Sequence, residues 1–384
     1  MATGYLYYEV ITEQISKKAE QPSGDVAWTE RDKSATIHIL CDGVGSGIKA
    51  NIAATMCVAR MKELLKNGFS LREAFASIVR TMEEARKKDL PCVFFTVTRV
   101  LSDGVAVILN YEMPEILFVS KKYSTHLNSI VQPFYEGIVS ETNCMLYKGD
   151  GLIIMSDGIT QAGMGKGLPN GWTIEGVNKF VNDLLRSGVE LKNLPISIIN
   201  EAKKKWHNHS EDDLSVSLIY CRKGIIINIF TGPPVNSETD DDVVNEFLSN
   251  DGLKIVCGAT TAKIVARYLG KELEIDQSFN SIISPPNYEI DGIDLVTEGA
   301  VTLNQLYNIW GEELEKLEKD NPVTILYALL SVADKVNMFV GKSHNPAGDD
   351  ISFKQNGILR RDKIVPLLIQ KFKQYNKIVT IEEY

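Results

Sequence analysis

Residues 35–50 read ATIHILCDGVGSGIKA, and two periods meet in them. Apolar and polar residues alternate as far as Cys41, the pattern of a half-buried strand, and glycines at 43, 45 and 47 then break it. From Ile48 the apolar residues of IKANIAATMCVARMKELLKNG recur every three or four positions, which predicts a helix ending near Gly68. Asp42 closes the strand. The same arrangement of acid and strand end recurs at Asp25 in SGD, at Asp157 in LIIMSDGIT, and at Asp212 with Asp213 in SEDDLSVSLIY.

One Asp-Gly pair is an ordinary turn. Four acidic strand ends that share one sheet edge are different, because carboxylates gathered without arginines repel one another unless a cation joins them. Oxygen donors with no His or Cys among them suit Mg²⁺ or Mn²⁺ better than zinc. The residue after Asp42 has no side chain, so the Gly43 carbonyl can serve as a further donor.

In this order, SGD, DGVGSGIKA, MSDGI and DDLSV resemble the SpoIIE-type branch of the metal-dependent protein serine/threonine phosphatases, the PPM or protein phosphatase type 2C superfamily, over residues 5–223. The resemblance implies an αββα sandwich with two Mn²⁺ or Mg²⁺ ions in a cleft at one end of the sheets. By motif, Asp25 holds one metal, Asp42 bridges both, Gly43 ligates through its carbonyl, and Asp157 and Asp212 hold the other. Neighbouring strand residues face opposite ways, so Asp212 and Asp213 are not both expected to ligate, and Asp212 is preferred. The implied chemistry is attack on phosphorus by metal-activated water, with Asp42, Asp157 and Lys49 as the catalytic residues, Lys49 being the candidate phosphate contact. Val44 departs from the pattern: many superfamily members carry a histidine there, so solvent or a neighbouring group has to protonate the leaving alkoxide.

The organisation outside these motifs is that of an α+β domain followed by a smaller α/β domain, with a boundary near residue 224. SLREAFASIVRTMEEARKKD is an amphipathic helix with a Ser70 cap and Glu73 three residues on. Strands then dominate to Gly158, followed by two helices and the strand LSVSLIYCR. The glycine-rich Gly163–Gly171 stretch reads as a mobile flap beside the cleft. After residue 224, GLKIVCGATTAKIVARYLG and GIDLVTEGAVTLNQLYNIW each read as strand, turn and helix, and RRDKIVPLLIQKFKQYNKIVTIEE reads as a closing helix. The CGATT turn has a shape that can bind an anion through backbone amides, although helix capping is the plainer reading. Likewise Ser46 and Gly47 can cap the helix that begins near Ile48. His344 with Asp349 and Asp350 is a weaker metal candidate in a polar loop. A regulatory or substrate-docking role is expected for residues 224–384.

A chain of 384 residues with 44% hydrophobic and 24% charged residues is a globular protein. Its net charge of −9, with lysines and glutamates intermingled, argues against a nucleic-acid partner. No apolar run approaches the ~20 residues a membrane helix needs, and the N-terminus lacks a basic segment followed by an apolar core, so a cytoplasmic location and no membrane partner are expected. The six cysteines lie far apart and read as reduced, buried thiols. The expected partner is a phosphorylated protein, by family analogy a regulator of the anti-sigma-factor-antagonist kind; self-association as a homodimer is left open. Two competing readings are a catalytically inactive PPM-fold signalling or binding module acting through its C-terminal domain, and an enzyme whose activity resides in that domain.

Overall fold

The computed structural model describes the chain except for residues 1–3, 19, 46, 134, 277–286, 319–320, 344–354 and 356. Two compact units result, Leu6–Lys223 and Gly224–Tyr384, the latter joined by Tyr5, whose carbonyl accepts from the Gly224 amide.

The first unit runs β1 (Leu6–Ile15), β2 (Val26–Arg31), β3 (Ala35–Gly43), α1 (Ile48–Lys66), α2 (Leu71–Lys87), β4 (Val93–Leu101) and β5 (Val105–Tyr111). It continues through β6 (Leu117–Val119), β7 (Ser124–His126), β8 (Ile130–Val131), β9 (Val139–Met145), β10 (Gly151–Met155), α3 (Asp157–Thr160), α4 (Thr173–Arg186), α5 (Leu194–Lys205) and β11 (Leu214–Lys223). One antiparallel sheet has the order β1-β11-β10-β6-β7, the other β2-β3-β4-β5-β9-β8. Strand alternation builds the layers. Ile39 and Cys41 pack under α1 and α2, whereas Leu40 points to the other sheet and joins Tyr8, Ile108, Ile154 and Ile219 in a core between the sheets. On the far side Ile153, Val216 and Leu218 pack under α4 and α5. The result is an αββα sandwich. The capping box of α2 is present as read: the Ser70 hydroxyl accepts from the Glu73 amide, and the Glu73 carboxylate accepts from the Ser70 amide.

The second unit contains β12 (Ile226–Thr231), α6 (Asp240–Ser249), β13 (Leu253–Cys257), α7 (Ala259–Leu269), β14 (Glu274–Asp276), β15 (Asn287–Glu289), β16 (Leu295–Thr297) and α8 (Ala300–Ile309). It ends with α9 (Pro322–Val332), β17 (Lys335–Val340), α10 (Arg361–Gln374) and β18 (Ile378–Glu383). Five strands are parallel in the order β16-β13-β12-β17-β18, and β15 and β14 extend the β16 edge antiparallel. Leu303, Leu306, Leu326 and Leu368 cover one face of this sheet, Val244, Phe247 and Val265 the other.

The closing helix expected over residues 360–383 stops at Gln374. Asn376 takes a left-handed φ of 58°, and the β-branched run after it pairs in parallel with β17 as an edge strand. All six cysteines are free and five are buried. Among the described residues no helix is long and apolar enough to cross a membrane.

His38 lies on the Leu40 face of β3, fully buried, with Nδ1 2.9 Å from the Thr29 hydroxyl. Burial, and after it the charge of Arg31, pushes its pKa down from 6.5 to about 3. The folded state therefore holds a neutral ring where the unfolded chain takes up a proton. This contribution to stability is complete above the unfolded value and is lost as pH falls through the window toward the folded one. Thermal unfolding followed from neutral pH to about pH 4 should accordingly fall less steeply for His38→Gln than for the wild type, and equal slopes would refute the assignment.

Candidate metal centre

The sandwich delivers the four acidic stretches to one end of the first unit. Asp42 is the last-but-one residue of β3 and shares the inter-sheet face with Leu40, while Asp25 sits just before β2, where Val26 pairs with Cys41. In the other sheet Asp157 follows β10 and Asp212–Asp213 precede β11, strands whose Met155 and Val216 are paired. Asp25, Asp42 and Asp213 are buried; Asp157 and Asp212 are half-buried.

The glycines beside these acids are there for close approach. A Cβ on Gly43 would collide with the backbone of Ala50 in the first turn of α1, and one on Gly158 with the Asp213 carbonyl. A Cβ on Gly24 would lie 2.9 Å from Asp213 Oδ2 and 3.0 Å from Ala50 Cβ. None of the three has a positive φ, so the missing side chain, not a left-handed backbone, is what these positions require. Helix α1 and the strand ends thereby lock onto each other.

Electrostatics marks the cluster. Burial raises the Asp25 pKa to about 7, with the charges of Asp213 and Asp212 adding to it and the Ser215 and Ser156 hydroxyls opposing it. Burial also lifts Asp42 well above the carboxylate range, helped by Asp25, Asp157 and Asp212. Asp212 rises to about 6 through burial and the charge of Asp157, and burial raises Asp157 as well. Asp25 Oδ2 is buried with no hydrogen-bond partner among the described residues. Unpaired oxygen donors and crowded negative charge are what a hard divalent cation satisfies, so the donor set fits Mg²⁺ or Mn²⁺. Among the described residues no three such side chains stand as a preformed ion site; the carboxylates are neighbours, not a closed cage.

The doubled acid resolves into two environments. Asp213 Oδ1 accepts from the Lys17 amide and Oδ2 from the Gly24 amide, both at 2.7 Å, so this carboxylate clamps two backbone segments. Asp212 Oδ1 accepts from the Asp213 amide at 2.9 Å, and the side chain faces the charges of Asp157 and Asp42. Lys49 is exposed in the first turn of α1, next to the Ala50 that covers Gly43. Gly47 occupies the N-cap of α1; Ser46 lies outside the described residues, as do His344, Asp349 and Asp350.

Three residues that carry out orientation were not singled out from the sequence. Gln161 Nε2 donates to Asp157 Oδ2 at 2.7 Å, and Ser156 and Ser215, bonded to each other's strands, place their hydroxyls beside Asp25. Both serines stood inside the quoted motifs, one before Asp157 and one two residues after Asp213. The Gly163–Gly171 stretch is folded back on itself through a Met164–Leu168 bridge, and Lys166 ties it to the Trp206 and His209 carbonyls and the Glu211 carboxylate. The stretch read as a mobile flap is thus hydrogen-bonded to the segment between α5 and β11.

Residues 32–222 match the family model described as Stage II sporulation protein E. No curated protein matches the chain. Among solved structures, the phosphatase domain of the cell fate determinant SpoIIE from Bacillus subtilis is 15% identical at a TM-score of 0.45, covering 57% of this chain and 94% of that one. The RsbU and RsbW domains of Rv1364c from Mycobacterium tuberculosis are 13% identical at a TM-score of 0.48, covering 64% and 69%. A serine/threonine phosphatase of S. agalactiae is 19% identical at a TM-score of 0.42, covering 56% and 99%. By this family match and the sandwich that carries its motifs, the N-terminal unit belongs to the SpoIIE-type branch of the PPM phosphatase superfamily.

Proposed function

We propose that the N-terminal unit is a metal-dependent phosphatase that hydrolyses phosphoserine or phosphothreonine on a regulatory protein. The observation that carries this reading is the crowding of Asp25, Asp42, Asp157 and Asp212 at one end of the sandwich, with their carboxyl pKa values raised and one Asp25 oxygen unpartnered. In this reading Asp25, Asp42, Asp157, Asp212 and the Gly43 carbonyl hold two Mn²⁺ or Mg²⁺ ions, and Asp213 keeps the ligand loops in register. Bound there, such ions lower the pKa of water and neutralise phosphoryl oxygens.

The protein's own groups then have separate tasks. Gln161 fixes the rotamer of Asp157, the Ser156 and Ser215 hydroxyls steady Asp25, and in this reading Lys49 meets a phosphoryl oxygen. Val44 offers no proton, so the serine or threonine leaving oxygen takes its proton from solvent. A protein substrate, not a small phosphate ester, is favoured by the surface next to the cleft. Val44, Ile48, Ile52 and Met56 are 44%, 60%, 52% and 66% exposed, and the helical three follow one another at four-residue spacing along α1. Exposed apolar stripes of this kind mark protein contacts. The substrate is an anti-sigma-factor-antagonist-like phosphoprotein in this proposal, and the site of action is the cytoplasm.

Hydrolysis of an aryl phosphate and of a phosphoserine protein in Mn²⁺ tests the activity. Asp42→Asn and Asp157→Asn should each lower kcat/KM by more than the roughly 10–100-fold typical of groups that only support a metal ligand. A wild type inert in both Mn²⁺ and Mg²⁺ would favour the non-catalytic binding module instead.

The two adjacent acids separate by a different measurement. Asp212→Asn should weaken Mn²⁺ binding while leaving chemical unfolding of the metal-free protein near wild type. Asp213→Ala leaves the buried Gly24 amide and the partly buried Lys17 amide without their acceptor and should destabilise the metal-free protein by about 1–3 kcal/mol, chiefly through Gly24. The opposite pattern exchanges their roles.

Metal binding must also displace protons. Asp212 near 6 and Asp25 near 7 retain them at slightly acid pH, so Mn²⁺ affinity should rise with pH through this window. Calorimetry in buffers of different ionisation enthalpy should register a proton release at about pH 6 that is smaller at about pH 8.5; a pH-independent affinity would contradict the raised carboxyl values.

A further inference from the structure

The second unit presents a cleft unconnected with phosphoester hydrolysis. Its five parallel strands run outward in both directions from β12, with β13 and β16 to one side and β17 and β18 to the other. In open α/β sheets of this kind ligands bind at the carboxyl ends of the strands where the order reverses, here between β12 and β17. Beside that point, at the carboxyl ends of β17 and β18 and against the start of α10, a cavity of about 620 Å³ opens, within the size range of sites for small-molecule ligands and cofactors.

The crevice is built with a cation in it. Gly232 ends β12 and Gly341 ends β17, and the two turns are in such close contact that a Cβ on Gly341 would collide with the Pro233 carbonyl. The Arg361 guanidinium lies directly over Gly232, where a Cβ would collide with it, and donates to the Ser343 carbonyl at 2.6 Å. Burial lowers the Arg361 pKa, and among the described residues this arginine has no ion-pair partner. The other charged groups of the cavity are already engaged: Lys342 with Glu383 at 2.6 Å, and Asp362 with Arg360 and Lys363 at 3.3 and 3.8 Å.

The two ends of the cavity differ. At one end Ala300 brings in the first turn of α8, which holds no acidic residue, and Arg361 begins α10. At the other end Val340, Val365, Ile369 and Ile381 form an apolar wall. The helix after β12 cannot take the phosphate that dinucleotide-binding sheets place at their first turn, because α6 opens with Asp240, Asp241 and Asp242.

We infer that this cleft binds a nucleoside phosphate, with its phosphate on Arg361 and the first turn of α8 and its base on the apolar wall. The inference stands apart from the proposed phosphatase activity, and binding alone tests it. Calorimetry of the full chain in EDTA, with ADP, AMP, adenosine and pyrophosphate as probes, should show a nucleotide binding more tightly than adenosine or pyrophosphate. Arg361→Gln should weaken that binding at least about tenfold, the loss of a charge-assisted hydrogen bond. Ile381→Trp, a substitution at a residue 44% exposed on β18, should abolish it by filling the cleft, and it carries the test if Arg361→Gln fails to fold. Asp157→Asn should leave the affinity unchanged. The inference is overturned by no binding of either nucleotide, by binding that Ile381→Trp leaves intact, or by pyrophosphate binding as tightly as ADP.

Discussion

Like charges forced together dominate the first unit. Two sheets packed face to face end at the same level, and each contributes acids from loops that enter or leave its strands. The inter-sheet core behind them, formed by Leu40, Ile154 and Ile219 among others, excludes water, so the repulsion between Asp25, Asp42 and Asp157 is screened less than at a surface. Such an arrangement costs stability in the metal-free protein. It persists because the surrounding packing is large, and because a cation converts the same proximity into an advantage. Strain of this type concentrates where chemistry is done.

Holding the acids requires equally specific neighbours. Asp213 uses both oxygens on backbone amides from two other segments, an economical way to tie the end of β1 and the Gly24 turn to the start of β11. Trp206 adds a third tie, its indole N–H donating to the Gly158 carbonyl at 3.0 Å from beyond the end of α5. Asp212, facing the cluster, and Asp213, supporting it, are adjacent in the segment before β11 and differ in which amides their carboxylates accept from.

The sandwich was legible in the sequence because its signals are local and redundant. The period change at residues 41–48 separates β3 from α1, and the Ser70–Glu73 box starts α2 as read. The four acidic motifs were also legible, since each pairs a charged residue with a strand end. The orienting residues were less so. Gln161, Ser156 and Ser215 matter through distances that no spacing in the chain reveals, and the separation of Asp212 from Asp213 needed the partners of each carboxylate. In the second unit, strand, turn and helix were readable one at a time. The order of the strands was not, because parallel pairing joins residues far apart: β12 pairs with β17 more than a hundred positions on. The tail was misread because KFKQYNK continues a helical charge pattern. The left-handed Asn376 and the following Ile-Val-Thr decided otherwise.

Glycine beside a strand end therefore means two things in this chain. At Gly43 and Gly158 the backbone is ordinary and the absence of a side chain lets one backbone rest on another, so an alanine at either position is a packing error. At Gly232 and Gly258 the φ angles are 82° and 119°, values that L side chains rarely adopt, so the constraint begins in the turn itself. Gly232 combines both, because the space its Cβ would fill holds the Arg361 guanidinium. The two units thus bring charge to strand ends in opposite senses, crowding anions in the first and bedding a cation in the second.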